Sequence, residues 1–266
     1  MRRLIGRELR RALLSAPVWA VALAVGTALV VLSLLPVNVA FDSPYRVFAY
    51  TIGSSGIVLA YPVAAVAISL IGFGQELARR WAVLTRTRVS LRRYLAAKAV
   101  ANAVSAFTVF FVVTFLVAAV ILLIEPTLGW RTYETFPGDE VTAPAASSRL
   151  SQLIATSTAL YALAYAAWSG LNAAVWASVG FGFLLVVRNR FVALSAPTLL
   201  VIVATLGMSV AGGAFFQSSP WEIWTLVDVG QVSMVPMLVA MGGYLIVSTA
   251  FCAGAIRRSD RLGAFQ

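Results

Sequence analysis

Long runs of uncharged, mostly apolar residues alternate with short charged or polar stretches along the whole chain. A helix that crosses a bilayer needs about 20 apolar residues. Six runs come close to or exceed this length without a single Asp, Glu, Lys or Arg. They predict six transmembrane helices, at approximately residues 16–36, 50–74, 99–124, 155–187, 191–212 and 235–256.

Basic residues are distributed unequally between the two ends of these helices. The N-terminus, the loop after the second helix, the link at Arg188 and Arg190, and the C-terminal tail carry 17 of the 20 Lys and Arg residues. The other side carries Arg46, Arg131 and Arg149, together with seven of the ten acids. Because Lys and Arg concentrate in cytoplasmic loops, both chain ends are predicted to lie inside.

Composition supports the membrane interpretation and excludes several kinds of protein. Apolar residues make up 61% of the 266 positions and charged residues only 11%, whereas soluble domains carry about 25% charge. A net charge of +10 placed beside membrane spans fits positive-inside orientation, so no nucleic-acid partner is predicted. Histidine is absent and Cys252 is the single cysteine. Zinc sites, histidine-based catalysis and an internal disulfide are therefore not expected, and we predict neither catalytic nor metal-binding residues.

The first 14 residues predict a short helix that lies in the cytoplasmic interface. Apolar side chains, among them Leu4, Leu9 and Leu13, share one helical face, while Arg3 and Arg7 lie on the other. A plain basic flank without a further role is the alternative.

The basic segment between the second and third predicted spans suggests a cytoplasmic helix at residues 76–93. Glu76 is its only acid, and Trp81 and Leu84 belong to an apolar stripe at helical spacing. Ser90 is suited to cap the helix that leads into the third span. A basic loop that binds anionic lipid headgroups is the alternative, but it does not explain the apolar stripe.

Residues 213–234, between the fifth and sixth spans, are too few for two spans and too apolar for an ordinary loop. A capping box with proline at the first helical position predicts a helix at about 220–230. We expect this helix to re-enter the outer leaflet and pack against the spans; a helix lying on the surface is the alternative. The residues concerned are Ser219, Pro220, Trp221, Glu222 and Trp224.

The remaining polar stretch, residues 125–151, contains three prolines and two glycines and predicts an external loop. It is too short to form a domain. Residues 1–266 are therefore expected to form one transmembrane domain.

A stripe of aromatic and polar residues on the fourth span has two interpretations. Tyr161, Tyr165, Trp168 and Asn172 recur at intervals of three to four residues, and Thr205 lies on the fifth span. Such a stripe indicates either helix packing or the wall of a path for a hydrophobic or amphipathic substrate.

This arrangement resembles the ABC-2 type permease family, the membrane subunits of a class of ATP-driven exporters. The interfacial helix, six spans with both ends inside, the cytoplasmic helix and the re-entrant segment all match that layout. The proline that is usual in the family's cytoplasmic motif is not evident in this chain. The residues similar to that motif are Glu76, Arg79, Arg80, Leu84, Thr85, Arg88, Tyr94 and Lys98, and residues 178–190 are similar to the family's end of span four.

The resemblance implies an all-α permease subunit in a bacterial cytoplasmic membrane. Two copies of a cytoplasmic ABC ATPase would bind the helix at 76–93, and a second permease chain, identical or different, would complete the substrate path. The chain has no P-loop motif, so ATP and Mg²⁺ are expected on the ATPase and no cofactor on this chain. The coupling residues implied are Glu76, Arg79, Arg80, Trp81, Leu84 and Arg88.

Two other functions remain open at this stage. The first is a membrane scaffold or assembly protein whose basic loops bind a cytoplasmic partner. The second is an ATP-independent carrier, although ion-coupled carriers usually have ionisable residues inside their spans and none is predicted here. A neighbouring gene for a P-loop ATPase would favour the exporter, and the substrate cannot be inferred from the sequence.

Overall fold

A computed structural model describes the chain at residues 2–14, 16–34, 41, 43–54, 61–67, 73, 90–133, 150–187, 189–212, 218–225 and 234–258. Every regular element in these ranges is helical. Residues 61–67 are helical as well, and a five-residue π-helix occupies Val120–Ile124. The remaining helices are α1 (Arg2–Leu13), α2 (Ala16–Leu34), α3 (Pro44–Ser54), α4 (Leu91–Ala119), α5 (Glu125–Leu128), α6 (Ser151–Thr156), α7 (Thr158–Val186), α8 (Arg190–Ala211), α9 (Pro220–Thr225) and α10 (Met234–Arg258).

Four helices in the described part of the chain are long and apolar enough to cross a membrane. They cover Leu91–Leu128, Thr158–Val186, Phe191–Ala211 and Met237–Arg258, and they coincide with the predicted third to sixth spans. The prediction of an all-helical, multi-pass membrane protein is confirmed at this level.

The predicted interfacial helix and first span correspond to α1 and α2, which meet at an angle. The axes of residues 4–13 and 18–31 differ in direction by 49°. If this bent pair is counted as one span, the number of candidate spans rises to five. The predicted second span is described only in part, at residues 61–67 and 73, and its first residues belong to the end of α3.

The third span continues further than the apolar run predicted. After α4 the helix widens into the π-helix and then continues as α5. Pro126 has no backbone N–H, and its ring clashes with a preceding carbonyl in a regular α-helix, so a wider turn at this point relieves the clash. The predicted external loop therefore begins at Gly129, whose φ of 63° ends α5, rather than at Glu125. Residues 134–149 of that loop lie outside the described part.

Helix α7 lies at the centre of the bundle. In its most apolar window 67% of the residues are buried, against 17% for α8 and 22% for α10. Glycines allow its neighbours to approach closely: a Cβ added at Gly180 would lie 2.5 Å from Val66, and one at Gly170 would lie 2.9 Å from the carbonyl oxygen of Phe107. Small residues at such crossings let helix backbones pack against each other.

Two buried clusters divide the bundle along its length. The larger one includes Phe41, Phe48, Ile121 and Tyr161, and it occupies the middle and one end. The smaller one joins the start of α4 and of α8 to the last turns of α7 and α10, with Leu4 of α1 packed against it. We call the end around the smaller cluster the basic end, because the arginines of α1, of the start of α4 and of the end of α10 lie there. The positive-inside rule predicts that this end faces the cytoplasm.

Candidate functional site

All six predicted coupling residues fall outside the described part of the chain. Glu76, Arg79, Arg80, Trp81, Leu84 and Arg88 all belong to residues 74–89, of which the structure says nothing. The description resumes at Ser90, which occupies the position before the first residue of α4, as predicted. Its side chain makes no capping hydrogen bond, so the cap itself is not formed.

The first turn of α4 is attached to the end of α10. Leu91 and Tyr94 are buried in the smaller cluster, whereas Arg92 and Arg93 are exposed. The Arg92 guanidinium donates a hydrogen bond of 3.5 Å to the carbonyl oxygen of Arg257. Basic groups at this position satisfy the last carbonyls of a helix and favour its negative end.

A buried ion pair joins α1 to α4. Lys98 Nζ donates a hydrogen bond of 2.7 Å to Glu8 Oε2, and the two side chains are only 6% and 7% exposed. Lys98 Nζ also lies 5.9 Å from the ring centres of Phe73 and Tyr94. Glu8 was not among the residues singled out from the sequence, although it lies four residues from both Leu4 and Ala12, on the apolar face of α1.

The ion pair holds α1 and α4 together near the basic end of the bundle. An unpartnered charge buried here would be costly, so each side chain depends on the other. Lys98 also lies two turns into the helix that directly follows the predicted coupling segment. A displacement of that segment would therefore reach both α4 and α1.

Three of the predicted substrate-path residues are buried in the bundle. Tyr161, Tyr165 and Asn172 lie on the inner side of α7, and the Asn172 side chain donates a 3.0 Å hydrogen bond to the carbonyl oxygen of Trp168. Thr205 lies on α8, where its hydroxyl is buried and has no hydrogen-bond partner in the described part of the chain. The α7 residues share one helix, whereas no side-chain hydrogen bond among the described residues joins Thr205 to them.

A small polar group next to this stripe was missed by the sequence analysis. Thr114 donates a 3.0 Å hydrogen bond to the Ser169 hydroxyl, and the Tyr61 hydroxyl interacts with both. An apolar cavity of about 30 Å³ lies beside Tyr61, between α2 and α4, with Val18, Ala22 and Val109 among its lining residues. A water molecule needs at least about 10–15 Å³, so this space has room for little more than a water-sized group.

The predicted re-entrant segment begins where its capping box indicated. Helix α9 starts at Pro220, and the backbone N–H of Glu222 donates a 3.4 Å hydrogen bond to the Ser219 hydroxyl. The described helix ends at Thr225, before the predicted end at about residue 230, and residues 226–233 lie outside the described part. The side chains of Trp221 and Trp224 are also outside it.

Two aromatic side chains from the long helices hold this segment in place. Trp168 Nε1 on α7 donates a 2.6 Å hydrogen bond to the carbonyl oxygen of Ile223, and the Tyr244 hydroxyl on α10 donates a 3.0 Å hydrogen bond to that of Ser218. Ile223 is fully buried. Trp168, predicted as part of a substrate path, therefore also anchors α9, a role that no local sequence signal indicates.

The opposite end of the third span contains a buried acid. Glu125 is 1% exposed; its Oε1 accepts a 3.3 Å hydrogen bond from the Tyr133 hydroxyl and lies 3.6 Å from Arg131 Nε. The Arg131 guanidinium lies 5.2 Å from the ring centre of Phe41. Burial, followed by the neighbouring Glu125 carboxylate, raises the pKa of Tyr133 to about 12. These contacts attach the start of the external loop to the bundle.

No group of three or more potential metal ligands occurs among the described residues. No protein-family model matches this chain, and neither a curated protein nor a solved structure does. The long apolar helices of the described part define the class of this protein as a multi-pass helical membrane protein.

Proposed function

We propose that this chain is the membrane-spanning permease subunit of an ATP-driven exporter of the ABC-2 type, located in a bacterial cytoplasmic membrane. Two copies of a cytoplasmic ATPase would supply ATP hydrolysis with Mg²⁺. A second permease chain would complete the path for a hydrophobic or amphipathic substrate. The chain itself would bind no cofactor and perform no catalysis.

The observation that carries this proposal is the buried Glu8–Lys98 ion pair. An exporter of this kind requires a rigid connection between the segment that receives force from the ATPase and the helices that surround the substrate. Lys98 lies on the helix that follows the predicted coupling segment, and its bond to Glu8 ties the amphipathic α1 to it. Movement of one element therefore requires movement of the other.

The anchoring of α9 supports the same proposal. Its backbone is held by hydrogen bonds from α7 and α10, as expected for a short helix that packs against spans instead of ending in lipid. A change in the spacing of α7 and α10 would thus change the position of α9. In the exporter this segment would close the outer side of the path.

An ATP-independent carrier is the second candidate, and one observation favours it. Glu125 is a buried acid on a continuous helical segment, and intramembrane acids often bind protons or ions in carriers. Its position at the far end of that segment, next to Arg131, weakens this candidate. A carrier would also leave the amphipathic stripe at residues 76–93 unexplained.

Co-purification and ATP hydrolysis test the proposal. The tagged chain should co-purify with a P-loop ATPase encoded near it, and the reconstituted complex should hydrolyse ATP faster when a hydrophobic surrogate cargo is added. Glu76→Gln and, separately, Trp81→Ala should leave the complex in the membrane but abolish this stimulation. The matched control Glu134→Gln makes the same chemical change in the predicted external loop and should retain it.

Two results would contradict the proposal. If no ATPase co-purifies under conditions that keep the chain folded, the protein is not an ABC permease. If the ATPase is bound but Glu76→Gln and Trp81→Ala are stimulated like the wild type, residues 76–93 are not the coupling helix.

A further inference from the structure

Exposed arginines from three separate helices meet at the basic end of the bundle. They flank the first turn of α4: Arg92 bonds to the last turn of α10, and α1 is joined to α4 through Glu8 and Lys98. All of these arginines are exposed, and the side chain of Arg7 is 71% exposed. We call this surface the arginine patch, and it consists of Arg7, Arg92, Arg93, Arg257 and Arg258.

The arginine patch carries far more positive charge than nearby acids balance. Within the described residues, Glu8 is the only acid at this end; it is buried, bonded to Lys98 and 3.6 Å from Arg7. The first turn of α4 contains two arginines and no acid, which is the reverse of what a helix N-terminus favours. In the sequence as a whole, this side of the predicted topology has 17 basic residues against three acids.

Exposed apolar side chains on two helices that reach the basic end favour lipid as the partner. Leu14, at the end of α1, is 71% exposed, and Phe191, in the first turn of α8, is 82% exposed. Ala193 of the same turn packs in the smaller cluster with Leu91 of α4, so the first turn of α8 lies at the basic end, with Phe191 facing outward from it. Arginines next to exposed apolar groups match the boundary between headgroups and acyl chains, whereas an acidic protein surface would leave those apolar groups uncovered.

We propose that the arginine patch binds the phosphate headgroups of anionic phospholipids in the adjacent leaflet. Guanidinium groups form charge-assisted, bidentate hydrogen bonds with phosphate. Three helix ends that are distant in sequence would then share the same lipids. This would hold α1, α4 and α10 at one depth, independently of any ATPase.

Lipid binding in detergent tests this inference. The purified chain in neutral detergent is titrated with phosphatidylglycerol or phosphatidylcholine, and bound lipid is counted by native mass spectrometry. The variant is Arg93→Gln/Arg258→Gln, because neither residue takes part in the Arg92–Arg257 hydrogen bond or in the Glu8–Lys98 pair. The matched control is Arg46→Gln, an exposed arginine on α3 at the other end.

The wild type and the control should prefer phosphatidylglycerol, and the preference should weaken as salt is raised. Each arginine removed should weaken phosphatidylglycerol binding about fivefold, while binding of phosphatidylcholine stays the same. Inorganic phosphate is a third titrant; it should compete weakly, because it lacks the acyl chains that contact Leu14 and Phe191. Thermal unfolding of the double variant in phosphatidylcholine should equal that of the wild type.

Three outcomes would overturn the inference. Equal binding of both lipids by the wild type would show that this surface does not select lipids by their charge. An unchanged preference in the double variant would place the lipid site elsewhere. Loss of an acidic protein partner by the double variant, with lipid preference intact, would show that the patch is a protein interface.

Discussion

Lys98 donates a 2.7 Å hydrogen bond to Glu8, and this bond joins two helices whose contacting residues are 90 positions apart in the chain. Both side chains are buried, and Arg7 lies 3.6 Å from Glu8 as a second basic neighbour. The pair therefore attaches α1 to the bundle through α4.

Replacing one member of this pair should lower the free energy of unfolding more than replacing both. Glu8→Leu alone should lower the free energy of unfolding by about 3–5 kcal/mol, because it leaves the buried Lys98 ammonium without its carboxylate. Lys98→Met alone should cost less, because Arg7 remains 3.6 Å from Glu8. The double variant leaves no buried charge and should lose much less than the sum of the two. Denaturant unfolding of the three variants in one detergent provides the double-mutant cycle. Additive losses would mean that the two groups do not interact in the folded protein.

Close helix crossings at α7 should make its glycines sensitive to a single methyl group. Gly170→Ala should lower the free energy of unfolding by about 1–3 kcal/mol, because the added Cβ meets the backbone oxygen of Phe107, which cannot turn aside. Gly182→Ala should cost less, since its Cβ meets the ring of Phe251, a side chain that can rotate. Thermal unfolding of the purified variants measures both effects.

Gly243→Ala is the matched control for these variants. It lies in α10 with no atom within 4 Å of an added Cβ. Alanine there should be neutral or stabilise the helix by up to about 1 kcal/mol. Equal losses at Gly170 and Gly243 would contradict the close approach of α4 and α7.

The start of α9 should depend on its cap. Ser219→Ala removes the hydroxyl that accepts from Glu222 N–H and should cost about 1 kcal/mol of local stability. Amide hydrogen exchange in residues 221–225 should become faster, whereas exchange elsewhere stays unchanged. Ser209→Ala is the control, because its exposed hydroxyl bonds only within its own helix. Unchanged exchange in the Ser219 variant would show that the cap does not hold the helix.

Stability should fall at high pH because of Tyr133. Its pKa is raised to about 12 by burial and by Glu125, but it returns to about 10 in the unfolded chain. Between these values the unfolded state loses the phenol proton first, so unfolding becomes more favourable as the pH rises. Tyr133→Phe should show a smaller decrease in unfolding temperature across this window. Parallel curves for the two proteins from about pH 9 to 12 would exclude this role.

The orientation predicted from the arginines can be tested with single cysteines. In a Cys252→Ala background, a cysteine in place of Asp139 should react with a membrane-impermeant thiol reagent in intact cells. One in place of Thr87 should react only after the cells are opened. Both positions lie outside the described residues, so this prediction rests on the charge distribution. The reverse labelling pattern would place the basic end outside the cell and would contradict the assignment of residues 76–93 as a cytoplasmic coupling helix.

Local signals in the sequence determined which segments are helices and where several of them begin. An uncharged run of membrane length must satisfy its backbone hydrogen bonds internally, which makes it a helix. Four of the six predicted spans correspond to helices that are long and apolar enough to cross a membrane. The Ser219–Pro220 signal located the start of α9 correctly, because capping involves only residues within one turn.

The tertiary structure alone decided which polar groups are buried and which residues they contact. Glu125 was expected in an external loop and nothing was predicted for Glu8, yet both are buried beside a basic residue. Trp168 belonged to a stripe that indicated either helix packing or a substrate path, and in the structure it bonds to the backbone of α9. Periodicity reports which face of a helix is apolar, but burial of a charge depends on a partner from a distant segment. Which residue becomes that partner depends on how the helices pack, and the sequence of one helix does not identify it.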